Sequence, residues 1–216
     1  MKLYTYWRSL ATFRVRIALN LKGLSYEPVY VDLDAGDQLT PQFKAINPQM
    51  AIPALVEDDG NVLFQSLAIL EYLNETHPEP PLLPADARGR ARVRALSLIA
   101  VADSHPLIVP RVRNHLAATL NVGDEGKLAW VRHWFVAGLN AYEAHLARDK
   151  ATGTYVHGES ITMADICLVS HAIGHQVFKG TLEAHPTVQR IVERCLRDER
   201  FAKAQPRRQP GAPPAH

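Results

Sequence analysis

The first part of the chain alternates short apolar runs with one longer amphipathic stretch, and this pattern predicts a small α/β unit. Residues 3–7 are predicted as a strand, 13–22 as a helix that Gly23 ends, and 26–33 as a second strand. A strand, a helix and a strand within this length suit a right-handed parallel crossover.

The segment that follows predicts a hairpin and a further helix. A short helix is expected over 39–46, and the apolar runs 54–57 and 62–64 flank a turn that carries Asp and Gly. Residues 67–73 have helical periodicity again. The first unit is therefore predicted as βαβ, a short helix, and then ββα.

A proline-rich segment at 77–81 marks the predicted domain boundary, and strand signals vanish beyond it. Helical periodicity covers residues 88–102, 110–120, 127–147, 163–178 and 187–197. We predict a first domain over 1–80 and an all-helical bundle over 81–216. From about residue 201 the chain is rich in Pro, Arg and Gln, so a flexible, extended tail is expected there.

Three predicted helix starts carry polar side chains that suit capping or anion binding. Ser9 precedes the first helix and Gln65-Ser66 the third, and free amides at a helix N-terminus attract a carboxylate. An ordinary N-cap explains the same pattern, and both roles are compatible. Thr162 and Asp165 form a capping-box-like start, for which local helix stability is a sufficient explanation.

The Ile52-Pro53 step lies directly before a predicted strand, where a cis peptide bond is readily accommodated. A cis bond would turn the backbone of Ile52 outward, so that it pairs with an extended, peptide-like ligand. A simple strand-entry proline fits the sequence equally well, and the pattern leaves both interpretations open.

Composition narrows the function classes. Hydrophobic residues make up 47% of the chain without an apolar run of about 18 residues, as expected of a globular protein that does not span a membrane. The net charge of +2 with scattered basic residues gives little support for a nucleic-acid partner. Met1 is followed by polar and apolar residues in alternation, without a leader pattern, so a cytoplasmic location is expected.

The cysteines and histidines predict neither a disulfide nor a metal site. Cys167 and Cys195 fall in apolar, helical surroundings and are predicted to be buried thiols. Among the ten histidines, His171 and His175 are the nearest pair, but no further ligand accompanies them at a suitable spacing. No metal is expected.

The chain resembles the zeta-class glutathione transferases, the family that includes maleylacetoacetate and maleylpyruvate isomerases. The resemblance runs from Lys2 to about Pro210. It rests on Trp7-Arg8-Ser9 with residues 13–19, on Asn47-Pro48-Gln49 with residues 52–55, and on residues 65–69, 82–84 and 162–165.

The resemblance implies a thioredoxin-like N-terminal domain that holds glutathione as cofactor, a helical C-terminal domain that supplies the acceptor pocket, and a homodimer. Ser9 matches the serine that faces the glutathione sulfur, and the backbone of Ile52 matches the partner of the cysteinyl part. Gln65 and Ser66 match the residues that hold the γ-glutamyl carboxylate. The other implied glutathione contacts are Gln38 and Gln49 and, across the dimer, Asp103, Ser104 and His105.

The implied reaction is a cis-trans isomerisation in the breakdown of aromatic compounds or tyrosine. The thiolate adds to a conjugated double bond, the resulting single bond rotates, and glutathione is expelled unchanged. A serine hydroxyl is too weak an acid to serve as the base, so Ser9 is expected to donate a hydrogen bond to the thiolate. The substrates are dianionic, and Arg8 is the first candidate for their carboxylates, with Arg111 the second.

The chain also departs from the family pattern. Apolar residues replace polar ones that the family carries, and Val177 replaces an arginine, beside Phe178 and Lys179. The apolar positions are Leu10, Ala11, Ile108, Val109 and Val177. They favour an alternative, a glutathione transferase that conjugates or dehalogenates small apolar electrophiles. A non-enzymatic binding protein is a third hypothesis, disfavoured because Ser9 and Gln65-Ser66 are present.

Overall fold

The computed structural model describes residues 1–213 and contains one four-stranded sheet. Its strands are β1 (Lys2–Thr5), β2 (Glu27–Tyr30), β3 (Ala54–Val56) and β4 (Val62–Phe64). The order is β2-β1-β3-β4, with β1 parallel to β2 and antiparallel to β3, and β3 antiparallel to β4. The predicted crossover and hairpin are thereby confirmed, although β2 is shorter than predicted.

Helices account for most of the remaining chain. They are α1 (Leu10–Leu21), α2 (Pro41–Ile46), α3 (Ser66–Thr76), α4 (Ala87–Leu98), α5 (His105–Ile108), α6 (Pro110–Leu120), α7 (Asp124–Leu146), α8 (Met163–Val177), α9 (Pro186–Leu196) and α10 (Glu199–Ala202). A π-helical segment, Ile99–Ser104, joins α4 to α5, and 3-10 turns occur at Asp37–Leu39 and Pro206–Arg208. The fold class is the predicted one, an α/β unit of thioredoxin-like order and an all-helical unit.

The chain divides into two compact units, the first formed by Met1–Leu82 with the segment from Asp198 onward, and the second by Leu83–Arg197. The extended tail predicted from about residue 201 is therefore corrected over the described residues. The Asn20 side-chain amide donates to the Arg200 carbonyl at 2.9 Å, and Arg16 Nε donates to the Ala204 carbonyl at 3.1 Å. These bonds hold the segment against α1. Residues 214–216 of the predicted tail lie outside the described residues.

Helix α1 is the central helix of the first unit. It starts three residues earlier than predicted, because Ser9 caps it, and almost every residue in it is buried. Two of the buried side chains are arginines, Arg14 at 2% exposure and Arg16 at 1%. A buried guanidinium requires hydrogen-bond acceptors. For Arg14 these include the Ser66 hydroxyl, and for Arg16 the Thr5 hydroxyl.

Helix α8 is the central helix of the second unit, with every residue from Met163 to His175 buried. Gly138 of α7 allows its close packing, because a Cβ atom there would lie 2.6 Å from the His171 Nε2 atom and from the Ser104 hydroxyl. Cys167 and Cys195 are buried, as predicted, and neither forms a disulfide.

One helical stretch in the described chain, 87–120, has the length and apolar composition of a membrane span, with 33% of its most apolar window buried. Core helices of proteins outside membranes meet the same criterion, so the stretch does not by itself indicate a span.

Candidate functional site

Ser9 lies at the junction of β1 and α1 and caps the helix. Its side-chain oxygen accepts a hydrogen bond from the backbone N–H of Thr12 at 3.2 Å, while the Thr12 hydroxyl donates to the Ser9 carbonyl at 3.1 Å. A serine hydroxyl has one proton to donate in addition to the lone pairs that accept. The cap therefore uses the oxygen of Ser9 and leaves its proton available to a ligand.

Arg16 holds the backbone on which Ser9 lies. Its Nη1 atom donates to the Thr5 hydroxyl at 3.1 Å and to the Thr12 hydroxyl at 3.2 Å, and Nη2 lies 3.4 Å from the Trp7 carbonyl oxygen. Desolvation lowers the pKa of Arg16 to about 10, so it stays charged at neutral pH. This role was not predicted from the sequence, although an arginine among apolar neighbours in a helix is its signal.

Arg8 lies one residue before Ser9 and already has a carboxylate partner. Its Nη2 atom donates to Asp34 Oδ1, and the Tyr6 hydroxyl donates to Asp34 Oδ2 at 2.6 Å. The guanidinium carbon of Arg8 lies 5.6 Å from the centroid of the Tyr6 ring. Burial, and then the hydrogen bond to Asp34, raise the pKa of Tyr6 to about 12. Asp34 was not among the predicted site residues.

Ile52 combines a buried side chain with a backbone that is unpaired within the described residues. The Ile52-Pro53 bond is cis, as the sequence analysis considered. The Ile52 side chain packs in an apolar cluster with Val31 and Phe43. Within the described residues, neither its N–H nor its carbonyl has a hydrogen-bond partner, so both groups are open to an extended ligand.

Three glutamines predicted as ligand contacts lie in the first unit. The Gln65 side-chain amide donates to Gln49 Oε1 at 2.9 Å, which brings two of them together. The Oε1 atom of Gln38, in the 3-10 turn, is buried without a hydrogen-bond partner. Since buried polar atoms are normally paired, this oxygen is suited to accept from a ligand N–H.

The N-terminus of α3 is open. Gln65 precedes it with a φ of 67°, which is energetically unfavourable for any residue other than glycine. The Gln65 side chain does not cap the helix. Ser66, 3% exposed, accepts a hydrogen bond from Arg14 Nε at 3.0 Å. Because Arg14 occupies a lone pair of this oxygen, the hydroxyl proton of Ser66 is oriented to donate elsewhere. The sequence analysis did not identify Arg14.

The remaining predicted residues belong to the second unit, where their exposure differs. Asp103 and Arg111 are exposed and His105 is half-buried. Ser104 is 2% exposed, at the end of the π-helical segment, and its hydroxyl packs toward Gly138. The hydroxyl of Ser104 is thus directed into its own unit, whereas Asp103 and His105 remain accessible.

The departures from the family pattern have different structural consequences. Leu10 and Ala11 are each 8% exposed, so they belong to the core. Lys179 is exposed, at φ 61°. Two arginines that the sequence analysis missed contact Phe178: the Arg113 guanidinium carbon lies 5.6 Å from its ring centroid, and Arg132 Nε donates to its carbonyl at 3.0 Å. Positive charge beside Phe178 is thus supplied by α6 and α7.

No group of His, Cys, Asp and Glu side chains in residues 1–213 has an arrangement that would hold a metal ion. The groups described above are hydroxyl, amide, guanidinium and open backbone groups.

Comparison with known proteins gives consistent results for both units of the chain. Models of the glutathione S-transferase family match, the N-terminal domain at residues 1–75 and the C-terminal domain at residues 137–199. A maleylpyruvate isomerase of a Ralstonia species is 43% identical over 97% of this chain and 99% of its own.

Two solved structures are similar in fold and sequence. A maleylacetoacetate isomerase from Methylobacterium extorquens, with bound malonate and glutathione, has a TM-score of 0.97 and 50% identity, covering 99% of this chain and 100% of its own. A maleylpyruvate isomerase described as a bacterial zeta-class glutathione S-transferase has a TM-score of 0.95 and 42% identity, and the match covers 99% of this chain and 100% of that one.

Proposed function

Because the chain belongs to the glutathione S-transferase family, in its zeta class, we propose that it is a glutathione-dependent cis-trans isomerase of maleyl-type keto acids such as maleylacetoacetate or maleylpyruvate. Glutathione is the cofactor, and when bound it supplies the nucleophilic sulfur and is returned unchanged. We place the reaction in the breakdown of aromatic compounds, in the cytoplasm, and assign the enzyme a homodimeric state.

The first unit contributes most of the groups that we assign to glutathione. The open N-terminus of α3, with Gln65 and Ser66, receives the γ-glutamyl carboxylate, since the helix dipole and free amides favour an anion there. The unpaired backbone of Ile52 pairs with the cysteinyl part. Gln38 and Gln49 hold the rest of the peptide, and the buried Oε1 atom of Gln38 supports its role as an acceptor.

Ser9 stabilises the thiolate by donating its free proton to the sulfur. A hydrogen bond to a charged group contributes about 1.5–3 kcal/mol, and one pKa unit corresponds to about 1.4 kcal/mol. Ser9 is therefore expected to lower the pKa of the bound thiol by about 1–2 units. The N-terminus of α1 adds to this effect.

Arg8 receives a carboxylate of the substrate, because it is adjacent to Ser9 and guanidinium groups bind carboxylates in a bidentate manner. Arg111, exposed at the start of α6, is the second candidate. From the second unit of a partner subunit, Asp103 and His105 would contact glutathione, while the buried hydroxyl of Ser104 is expected to contribute to packing.

The position of Arg8 next to Ser9 is the observation that favours isomerisation of an anionic acceptor over conjugation of an apolar one. The test supplies maleylpyruvate with glutathione at a small fraction of its concentration. We expect many turnovers per glutathione without its consumption, and a large loss for Arg8→Gln but not for the control Arg88→Gln, an exposed arginine of α4. Stoichiometric consumption of glutathione with an aryl halide, while maleyl acids stay inert, would establish the transferase alternative instead.

The homodimer and the residues assigned across it are tested separately. Light scattering on the purified protein is expected to give twice the chain mass of 24.0 kDa. A monomer that binds glutathione with full affinity would exclude the roles given to Asp103 and His105.

A further inference from the structure

The side chains of Arg8, Asp34 and Tyr6 form a closed triangle in the first unit. Arg8 and Tyr6 donate to different oxygens of the same carboxylate, and the guanidinium lies over the Tyr6 ring. Every side of the triangle is a favourable contact. The arginine that is to receive a substrate carboxylate therefore has a carboxylate of the chain beside it.

The loop that carries Asp34 is held in place by its own hydrogen bonds. Asp32 Oδ1 accepts from the backbone N–H of Asp34 at 2.9 Å and of Ala35 at 3.2 Å, and these bonds lower the pKa of Asp32. Asp37 Oδ2 accepts from the Asp32 N–H at 3.0 Å, and Gly36 provides the φ of 86° that the turn requires. The position of the Asp34 carboxylate is thus set by the loop.

The pair leaves part of the guanidinium available. The Arg8 side chain is 33% exposed and that of Asp34 is 56% exposed. A guanidinium has five N–H donors, and the bond to Asp34 uses one Nη atom. A second carboxylate can therefore bind at the remaining edge of Arg8, but the charge of Asp34 repels it and already neutralises the arginine.

We propose that Asp34 is a specificity-determining residue, which shares Arg8 with the substrate and so weakens the binding of dicarboxylates relative to neutral acceptors. The inference rests on the role given to Arg8 in the proposed function. In this role Asp34 lowers the affinity for dicarboxylates. A residue that only positioned Arg8 would instead raise the affinity for the substrate.

The test removes the charge of Asp34 while keeping its shape. Asp34→Asn retains an acceptor oxygen for Arg8 or Tyr6, and Glu75→Gln, at an exposed site near the end of α3, changes the net charge equally. Maleate is the dicarboxylate probe, titrated by calorimetry with and without saturating glutathione, and chlorodinitrobenzene is the neutral electrophile. Exposed ion pairs contribute little, so we expect Asp34→Asn to tighten maleate binding about 2- to 5-fold, less at high salt.

The expected pattern includes an unchanged KM for chlorodinitrobenzene in Asp34→Asn and no effect of Glu75→Gln on either probe. Unchanged or weaker maleate binding in Asp34→Asn would overturn the inference. Arg8→Gln separates the two levels of the proposal. If it abolishes maleate binding while Asp34→Asn does not tighten it, only the role of Asp34 fails; if Arg8→Gln binds maleate like the wild type, the role of Arg8 fails with it.

Discussion

Helices α8 and α3 begin in opposite ways. At the start of α8, the buried carboxylate of Asp165 accepts from the backbone N–H of Val156 and from both the N–H and the hydroxyl of Thr162, each at 2.8 Å. At the start of α3, Gln65 takes up φ 67° and no side chain caps the helix. One helix has its own carboxylate, and the other lacks one.

The difference separates a stabilising helix start from a binding one. Every helix leaves its first amides without intrahelical partners. In α8 the Asp165 carboxylate accepts a hydrogen bond from one of these amides, the N–H of the N-cap Thr162, even though desolvation raises the pKa of Asp165 to about 6. In α3 such amides are left for a ligand carboxylate, and the buried Arg14 behind Ser66 adds positive charge.

Loss of the internal carboxylate is expected to have the largest effect. Asp165→Ala leaves buried donors of Val156 and Thr162 unpaired, so the free energy of unfolding should fall by about 3 kcal/mol or more. Urea denaturation measures it. The control is Asp86→Ala, the N-cap of α4 that accepts from Gly89 at 2.8 Å, where about 1 kcal/mol is expected. Equal losses in the two variants would show that burial does not increase the contribution of Asp165 to the free energy of unfolding.

The same carboxylate predicts a pH dependence of stability. Its pKa is 3.8 as a free group and about 6 in the fold, so the folded state binds more protons between these values. Its stabilising contribution is fully present below pH 3.8 and is lost as the pH rises through about 6. The unfolding free energy of the wild type relative to Asp165→Asn should fall across this window, by about 1–3 kcal/mol in total. A constant difference would contradict the raised pKa.

Removal of a donor from the open helix start is expected to affect ligand affinity. Ser66→Ala should weaken glutathione binding about 10-fold, because a hydrogen bond to a charged group is lost. Isothermal titration calorimetry measures it. Ser66→Thr keeps the hydroxyl and should retain most of the affinity. Wild-type affinity in Ser66→Ala would show that the carboxylate binds elsewhere.

The helix start at Ser9 combines both roles, because its side chain caps α1 and is also assigned to the ligand thiolate. Ser9→Ala removes a cap worth about 1 kcal/mol and should raise the pKa of the bound thiol by about 1–2 units. The ultraviolet absorbance of the thiolate reports this pKa, and Ser9→Thr serves as the control. An unchanged thiol pKa would confine Ser9 to capping.

Local features were predictable from the sequence, and long-range pairs were not. The order of strands and helices, the cap at Ser9 and the cap at Asp165 each depend on neighbours within a few positions, which periodicity and residue type reveal. The bonds from Arg14 to Ser66 and from Arg8 to Asp34 join residues far apart in sequence. No local pattern encodes such pairs, and the segment from about residue 201 was wrongly predicted to be extended because its partner Arg16 lies on α1.

The hydrogen bonds that hold the segment after Asp198 against α1 have a consequence for the order of folding during synthesis. Arg16 is translated 188 residues before Ala204, whose carbonyl accepts from the Arg16 Nε atom. Until Ala204 is made, this Nε atom must be hydrogen-bonded by water instead. The hydrogen bond from Arg16 to Ala204 therefore forms only after the whole of the second unit, Leu83–Arg197, has been translated.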